Sequence, residues 1–567
     1  TGCIGGKACG MLLARKIIQT DNPGAFARME PHDSYYLGSD VFYTYIVHNK
    51  FWRLHIHQKT KQGYFKLAPE LERAFLQGSF PEAIRLQFIR MLEYFGQRPI
   101  IVRSSSLQED AFGNAFAGKY ESVFCINTGT MDERLNELEN AVRTVYASTM
   151  NPSALEYRRQ RGLGFKDEQM ALLIQRVSGS MYEDFLMPNA AGVGYSYSAY
   201  KWDNSINASD GMLRLVMGLG TRAVDRTEGD YPRIVNLSAP DRSTLTASWA
   251  KHQYSQRYVD LMDYTTKSLS SRPLMAVTPH MDNWYKKLVL EHDYDAERTF
   301  RERGQHREIL FASCEGLVRN KEFTDCMKSL LHTLQNAYQY PVDIEFTING
   351  NDDGEFVFNL LQCRPLQVGT RRDAVVVPSL PDEKTVFSVT DASMGGSRAE
   401  DIDYVILIDA KAYYEFPYKR KPDIAHIIGD INQHFRKSKK NLLLFAPGRI
   451  GTSSPELGVP VSFAQINHFC AICEMSDSEA GYMPELSYGS HMFQDLVEAE
   501  IFYTALFDNQ KTRLFHKDIF HDMSNILTEI LPDCKDYEDI VKVYHTGDMH
   551  LKLYSDIQNE KTILGFE

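Results

Sequence analysis

The stretch VDIEFTINGNDDGEFVFNLLQCRPL, residues 342–366, decides how this chain is read. Two runs rich in β-branched and aromatic residues flank Asp353-Gly354, the strongest short-range signal for a β-hairpin, because a type I′ turn needs positive φ at both central positions. With a two-residue turn, Asp352 pairs with Glu355. Counting seven positions away from that pair along each strand sets Glu345 opposite Gln362, and two more set Asp343 opposite Arg364. Side chains two apart share a face. One face then carries Asp343, Glu345, Gln362 and Arg364, and the other carries Val342, Ile344, Phe346 and Ile348 across from Cys363 and Leu361. The second face is core.

Two readings of the polar face are open. Most such faces are solvated and laced with cross-strand ion pairs. Alternatively, a carboxylate opposite an amide oxygen can ligate a hard cation such as Mg²⁺, and Arg364 can offer its fork to phosphate oxygens. The register depends on the turn. Facing Asp352 with Glu355 sets like charges together, which favours a looser loop over Asn349 to Gly354, and a slip of one residue would scatter the four groups.

The whole chain bounds what this face can serve. At 567 residues it exceeds one core and implies about three to four domains. A composition 43% hydrophobic and 24% charged is globular. The net charge of −12 gives no general basic surface for nucleic acid or an anionic membrane. Local basic clusters, Lys419-Arg420-Lys421 and Arg436 to Lys440, read as solvated loops and a helix C-terminus. No apolar run reaches the roughly 20 residues of a membrane span, and no secretory leader opens the sequence. Nine scattered cysteines suit reduced thiols, so a cytoplasmic location is expected. Cys470-Ala-Ile-Cys473 is the close pair; in its apolar context it reads as strand, with the two thiols on opposite faces.

Periodicity along the chain gives an α/β reading, with strands and helices mixed in the α+β manner up to about residue 370. Residues 8–19, after GCIGGK, form a helix entered from a glycine turn. Thr130 and Glu133 make a capping box for the helix that Asn151-Pro152 closes. RPIIVRSSS, KYESVFCIN, MALLIQRV and GVGYSYSAY read as strands. The charged, proline-bearing segment 371–385 is a linker. Beyond it, residues 386–567 form a second α/β module: YVILIDA as a buried strand, a helix opened by Pro422, and LLLFAP running into the glycine-rich loop GRIGTSSPELG.

Several stretches have phosphate chemistry. Gly5-Gly6-Lys7 puts a lysine at a helix start, where N–H groups and the dipole favour an anion. It is not a Walker A loop, since Ala8 stands where Ser or Thr must hold Mg²⁺. VRSSSLQED ends a strand with Arg103, three hydroxyls and two carboxylates, and Ala117-Gly118 follows as a place for close backbone approach. Each has a plain structural reading: a surface lysine, a serine turn capping a helix, a loop.

Taken in order, GGK, VRSSS-x-x-ED, FAGKYES, LLIQRV, MGLG and DIEF…LLQCRP resemble the N-terminal ATP-binding domain of phosphoenolpyruvate synthase and pyruvate phosphate dikinase, over residues 1–370. The resemblance implies an ATP-grasp-like fold of two subdomains. It implies Lys7, Arg103 and Arg364 on the phosphates of ATP, with Asp343 nearby. Glu345 and Gln362 are implied as Mg²⁺ ligands, and Gln175 and Val177 as part of the strand that meets adenine.

Departures matter equally. Thr221 follows Gly218-Leu219-Gly220 where the family often has glutamate. No Thr-(Ser/Cys)-His-Ala-Ala motif carries a phosphohistidine, and the remaining length does not hold a pyruvate-binding barrel. His491, in Gly489-Ser490-His491 before an apolar-periodic segment, is the substitute carrier candidate, with a capping or packing role as the alternative. The expected function is an Mg-ATP-dependent phosphotransferase acting on a small-molecule or other phosphoryl acceptor, without nucleic-acid or membrane partners. The alternatives are a nucleotide-binding regulator and an ATP-grasp ligase. Acceptor and oligomeric state are left open.

Overall fold

The computed structural model describes residues 2–567 apart from 32, 110–119, 161, 198–205, 225–229, 243–247, 367–374, 391–392, 453–454, 477–495, 497–498, 500, 507–511 and 557–559. It divides into two compact units, Thr1–Ser198 with Ser209–Gln367, and Ala199–Ala208 with Val368–Glu567.

In the first unit, helix α1 (Gly6–Asp21) is entered through Gly5, whose φ of 81° only glycine adopts without cost. Strands β1 (Ser34–Leu37), β2 (Ile100–Ser106), β3 (Ser122–Cys125) and β4 (Met170–Arg176) form a sheet in the order β1-β4-β2-β3. Helix α2 (Met131–Ser148) packs its Leu135, Leu138, Val142 and Val145 stripe into the core beside this sheet, and its Thr130–Glu133 capping box forms as the sequence requires.

A second sheet holds strands β5 (Ala190–Tyr195), β6 (Met212–Met217), β7 (Arg233–Asn236), β8 (Val342–Gly350) and β9 (Phe356–Pro365), ordered β9-β8-β5-β6-β7. Helix α3 (Lys321–Tyr338) places Phe323, Met327, Leu330, Leu331 and Leu334 in the same core as Val342, Ile344, Phe346 and Ile348. α1 joins the layers: Ala14 and Ile18 belong to that hairpin core, whereas Ala8 and Met11 pack on Leu173 of β4. Gly10 is required at this crossing, because a Cβ there would lie 2.5 Å from the Cys363 carbonyl.

The second unit is α/β. Strands β10 (Ser393–Met394), β11 (Tyr404–Ile408), β12 (Leu442–Pro447), β13 (Ala471–Met475), β14 (Phe502–Leu506) and β15 (Val541–His545) lie in the order β10-β14-β13-β12-β11-β15. β11 to β14 are mutually parallel. That explains the unbroken apolar run LLLFAP and the mainly apolar, fully buried AICEM and FYTAL, since a parallel strand is covered on both faces. A five-stranded antiparallel sheet contributes Val386, Phe387, Leu551, Leu553 and Leu564 to the same core as Leu443, Phe445 and Ala471. Helix α4 (Lys421–Phe435) carries proline in its first turn, as expected.

Candidate functional site

The hairpin places Asp343 opposite Arg364 and Glu345 opposite Gln362, the expected pairs, by an unexpected route. Its connection is not two residues: Gly350 pairs with Phe356, and the loop is closed by the Asn351 N–H on the Glu355 carbonyl (3.1 Å) and the Glu355 N–H on the Asn351 side chain (3.0 Å). This keeps Asp352 and Glu355 from facing each other and shifts the register by one residue. Next to Glu345 the partner steps from Leu360 to Gln362, leaving Leu361 as the extra residue of a β-bulge. The bulge shifts the register back. Leu360, not Leu361, therefore stands across from Phe346, and Gln362 and Arg364 turn to the polar face.

That face meets β2. One Arg103 nitrogen, Nη2, donates to Glu345 Oε2 at 2.6 Å and to Gln362 Oε1 at 2.9 Å, while Arg364 Nε reaches both Asp343 oxygens at 2.8 and 2.9 Å. Burial opposes the charge on Glu345, but Arg103, Arg364 and Lys7 outweigh it and hold its carboxyl below the usual range. Asp343 goes the other way: burial raises its carboxyl despite Arg364.

The two N-terminal stretches dock on each other. A Cβ on Gly5 would lie 1.4 Å from the Ser105 carbonyl oxygen, and one on Gly6 1.9 Å from that of Glu109. The Ala8 N–H donates to Ser105 Oγ (3.0 Å), which donates to the Ile4 carbonyl (2.8 Å). Glu109, buried, accepts from Lys7 Nζ (3.4 Å), Ser104 Oγ (2.8 Å) and the Ser106 N–H (2.7 Å). Ser106 Oγ in turn donates to the buried Glu168, which Tyr120 and Arg158 also hold.

Six of the expected site residues thus converge: Lys7, Arg103, Asp343, Glu345, Gln362 and Arg364. Gln175 is buried with Nε2 on the Met11 sulfur at 3.2 Å and with Oε1 lacking any partner, an acceptor a ligand amine could satisfy. Val177 sits in an apolar cluster with Leu186, Leu219 and Met262. Ala117-Gly118 and His491 lie outside the described residues. Glu109 and Glu168 went unassigned in the sequence. The Glu-Asp pair of VRSSSLQED pointed to the first; nothing local pointed to the second. At the Gly218 turn, where the sequence has Thr221, a carboxylate comes from elsewhere in the chain: Asp260 accepts from Thr221 Oγ1 (2.6 Å) and Arg222 Nε (3.1 Å).

The arrangement fits a divalent cation with few protein ligands. Glu345 and Gln362 aim oxygens at one positive centre, the guanidinium nitrogen. Among the described residues no three His, Cys, Asp or Glu side chains form a cage, so the remaining ligands would be water and phosphate oxygens, as is usual for Mg²⁺. A family model for the pyruvate phosphate dikinase AMP/ATP-binding domain matches residues 1–384. The chain belongs to that family. Its AMP/ATP-binding domain contains all six converging residues, together with Gln175 and Val177. None of the curated proteins matches the chain.

Outside the AMP/ATP-binding domain, the glycine-rich loop after β12 uses four main-chain donors internally. Gly448 N–H goes to Met475, Arg449 to Leu457, Gly451 to Val459, and Ile450 to the buried Glu474 carboxylate at 2.7 Å. These main-chain bonds hold the loop's own shape; Ser453 and Ser454 lie outside the described residues. A cleft of about 330 Å³ opens at the carboxyl ends of β11 and β13, lined by Asp409, Lys411, His521, Glu538 and Lys542 among others. Asp409 caps a helix through Ala412 and Glu538 accepts from Thr528, so both carboxylates serve the scaffold. Burial pushes the Cys470 and Cys473 thiols well up, which removes the reactive thiolate a redox pair needs. Among the described residues no helix is long and apolar enough to cross a membrane.

Proposed function

We propose that the first unit binds Mg-ATP in an ATP-grasp-like manner and that the chain is a phosphotransferase, passing a phosphoryl group to an acceptor not yet identified. The observation that carries this reading is the convergence of three cations on one face: Arg103 bonds Glu345 and Gln362, Arg364 bonds Asp343 beside them, and Lys7 adds its charge near Glu345. Three cations and two aimed oxygens match a polyphosphate with its metal better than they match a solvated sheet face. When bound, Mg²⁺ would neutralise charge on the phosphate oxygens. The protein's part is to hold it through Glu345 and Gln362, to place phosphates on Lys7, Arg103 and Arg364, and to seat the adenine by Gln175 and Val177. A cytoplasmic protein with reduced thiols suits this chemistry.

The test is calorimetric titration with Mg-ATP, followed by analysis of products. Glu345→Gln keeps the shape and removes the charged oxygen, and Arg364→Ala removes a phosphate fork. Each should weaken binding at least tenfold; wild-type affinity in both variants would refute the site. AMP plus a phosphorylated product supports dikinase-like transfer. ADP alone supports a kinase or a ligase that activates a carboxylate. Tight binding without turnover supports a nucleotide-responsive regulator. For His491 the measurement is acid-labile label from ATP labelled at the β-phosphate, which His491→Ala should abolish if that residue is the carrier.

A further inference from the structure

The two oxygens that fit a divalent cation are not idle: both are taken by the same atom, Arg103 Nη2, at 2.6 Å from Glu345 and 2.9 Å from Gln362. The guanidinium therefore stands where a metal ion would stand. Main-chain pairing fixes all three partners. Glu345 and Gln362 face each other across the hairpin, and Arg103 sits on β2 between Leu173 and Ser122. The pocket is closed around them, with Arg103 9% and Gln362 2% exposed. Two cations cannot share these oxygens. Their mutual repulsion at two oxygens of a buried site is strong, so Arg103 Nη2 and a metal ion compete for Glu345 Oε2 and Gln362 Oε1.

A second observation shows where Arg103 can go. Its Nε is buried and lacks a hydrogen-bond partner. The Nε donor is spare, and once Nη2 leaves Glu345 and Gln362 the two together form the fork that a phosphate meets with two oxygens. Arg364 is not a substitute occupant, because its Nε is already held by both oxygens of Asp343.

We propose that Arg103 is a latch on the divalent-cation site: it occupies the Glu345–Gln362 seat until nucleotide phosphate draws its guanidinium away, so that metal binding is conditional on nucleotide. This rests on the reading that the unit binds ATP. Linkage makes the coupling reciprocal, so metal strengthens nucleotide binding as much as nucleotide strengthens metal binding. It also gives the protein a reason to ignore free cations when no nucleotide is present. Removing Arg103 leaves Glu345 and Gln362 without the cation that fills their seat, which turns a weak metal site into an attractive one.

The experiment titrates Mn²⁺ into nucleotide-free protein, with binding read by calorimetry and by the loss of the free-ion electron paramagnetic resonance signal. Wild type should bind Mn²⁺ weakly. Arg103→Ala should bind it at least tenfold more tightly, and adding Glu345→Gln to that variant should abolish the gain, which places the ion at the seat. Arg103→Met fills the side-chain volume and should behave as Arg103→Ala does, which covers the case in which the smaller residue destabilises the fold. In the presence of ATP, wild type should gain Mn²⁺ affinity. Equal Mn²⁺ affinity in nucleotide-free wild type and both Arg103 variants, with folding confirmed by circular dichroism, would overturn the latch. So would a gain that survives Glu345→Gln. The metal arm contains no nucleotide, so it judges the latch even if wild type fails to bind ATP, a result that would instead refute the proposed function.

Discussion

Replacing His55 by Phe should flatten the acid dependence of stability. His55 is 2% exposed on the helix Trp52–Gln58, with ring centroids 6.3 Å from Phe42 and 5.9 Å from Trp52. Neither ring nitrogen has a hydrogen-bond partner. Asp167 lies 3.7 Å from Nε2, but that carboxylate is already engaged by Tyr43 and Lys59 and does not rescue an imidazolium. Burial first, then the Lys59 and Arg158 charges, push the pKa from 6.5 down to about 4. Between those values the unfolded chain binds a proton that the folded chain refuses. The stabilising contribution is therefore present above pH 6.5 and is lost as pH falls toward 4. A gap of about 2.5 pK units at about 1.4 kcal/mol each is worth about 3.5 kcal/mol, spread over that window. The assay is urea unfolding followed by tryptophan fluorescence, for which Trp52 is a local reporter, at several values between about pH 4.5 and 7.5. Wild type should lose up to about 1.4 kcal/mol per pH unit relative to His55→Phe. Parallel profiles for the two proteins would refute the argument. The site scaffold is exposed to this loss, because Asp167 adjoins Glu168, which holds Ser106.

Other outcomes follow from packing. Gly5→Ala forces a left-handed residue and drives its Cβ to 1.4 Å from the Ser105 carbonyl, so Mg-ATP affinity should fall at least tenfold by calorimetry. Gly96→Ala is the control: it shares the positive φ but meets nothing within 4 Å, and should cost about 1–3 kcal/mol of stability without changing nucleotide affinity. Mass spectrometry after brief alkylation of native protein should find label on the exposed Cys3 and Cys9 and none on Cys470 or Cys473, which should react only after unfolding.

Much of the fold was legible because its signals are local. The capping box at Thr130 and Glu133, the glycine entry to α1, proline at the start of α4 and the unbroken apolar strand LLLFAP of the second unit are each written within a few residues. The ordered motifs also identified the family before any geometry was known. Those signals reflect backbone conformation and burial, which neighbouring residues largely decide.

The site was legible in membership but not in construction. Alternation from Asp353-Gly354 put Glu345 opposite Gln362 through two errors that cancel: the loop is longer than a two-residue turn, and a bulge at Leu361 returns the register. Neither device has a local signature, since a bulge is chosen by what the strand must meet on its other side. The same holds for contacts distant in sequence. Sequence alone placed Arg103, Glu345 and Gln362 on one list, and the tertiary fold decided that one guanidinium nitrogen bridges the other two. It also brought Asp260 to Thr221 and made Glu109 the hub of Lys7, Ser104 and Ser106. Residue type and spacing determine which groups can carry charge or bind a cation. Which of those charges neutralise one another depends on distances of a few ångströms between segments far apart in the chain, and only the folded packing sets them.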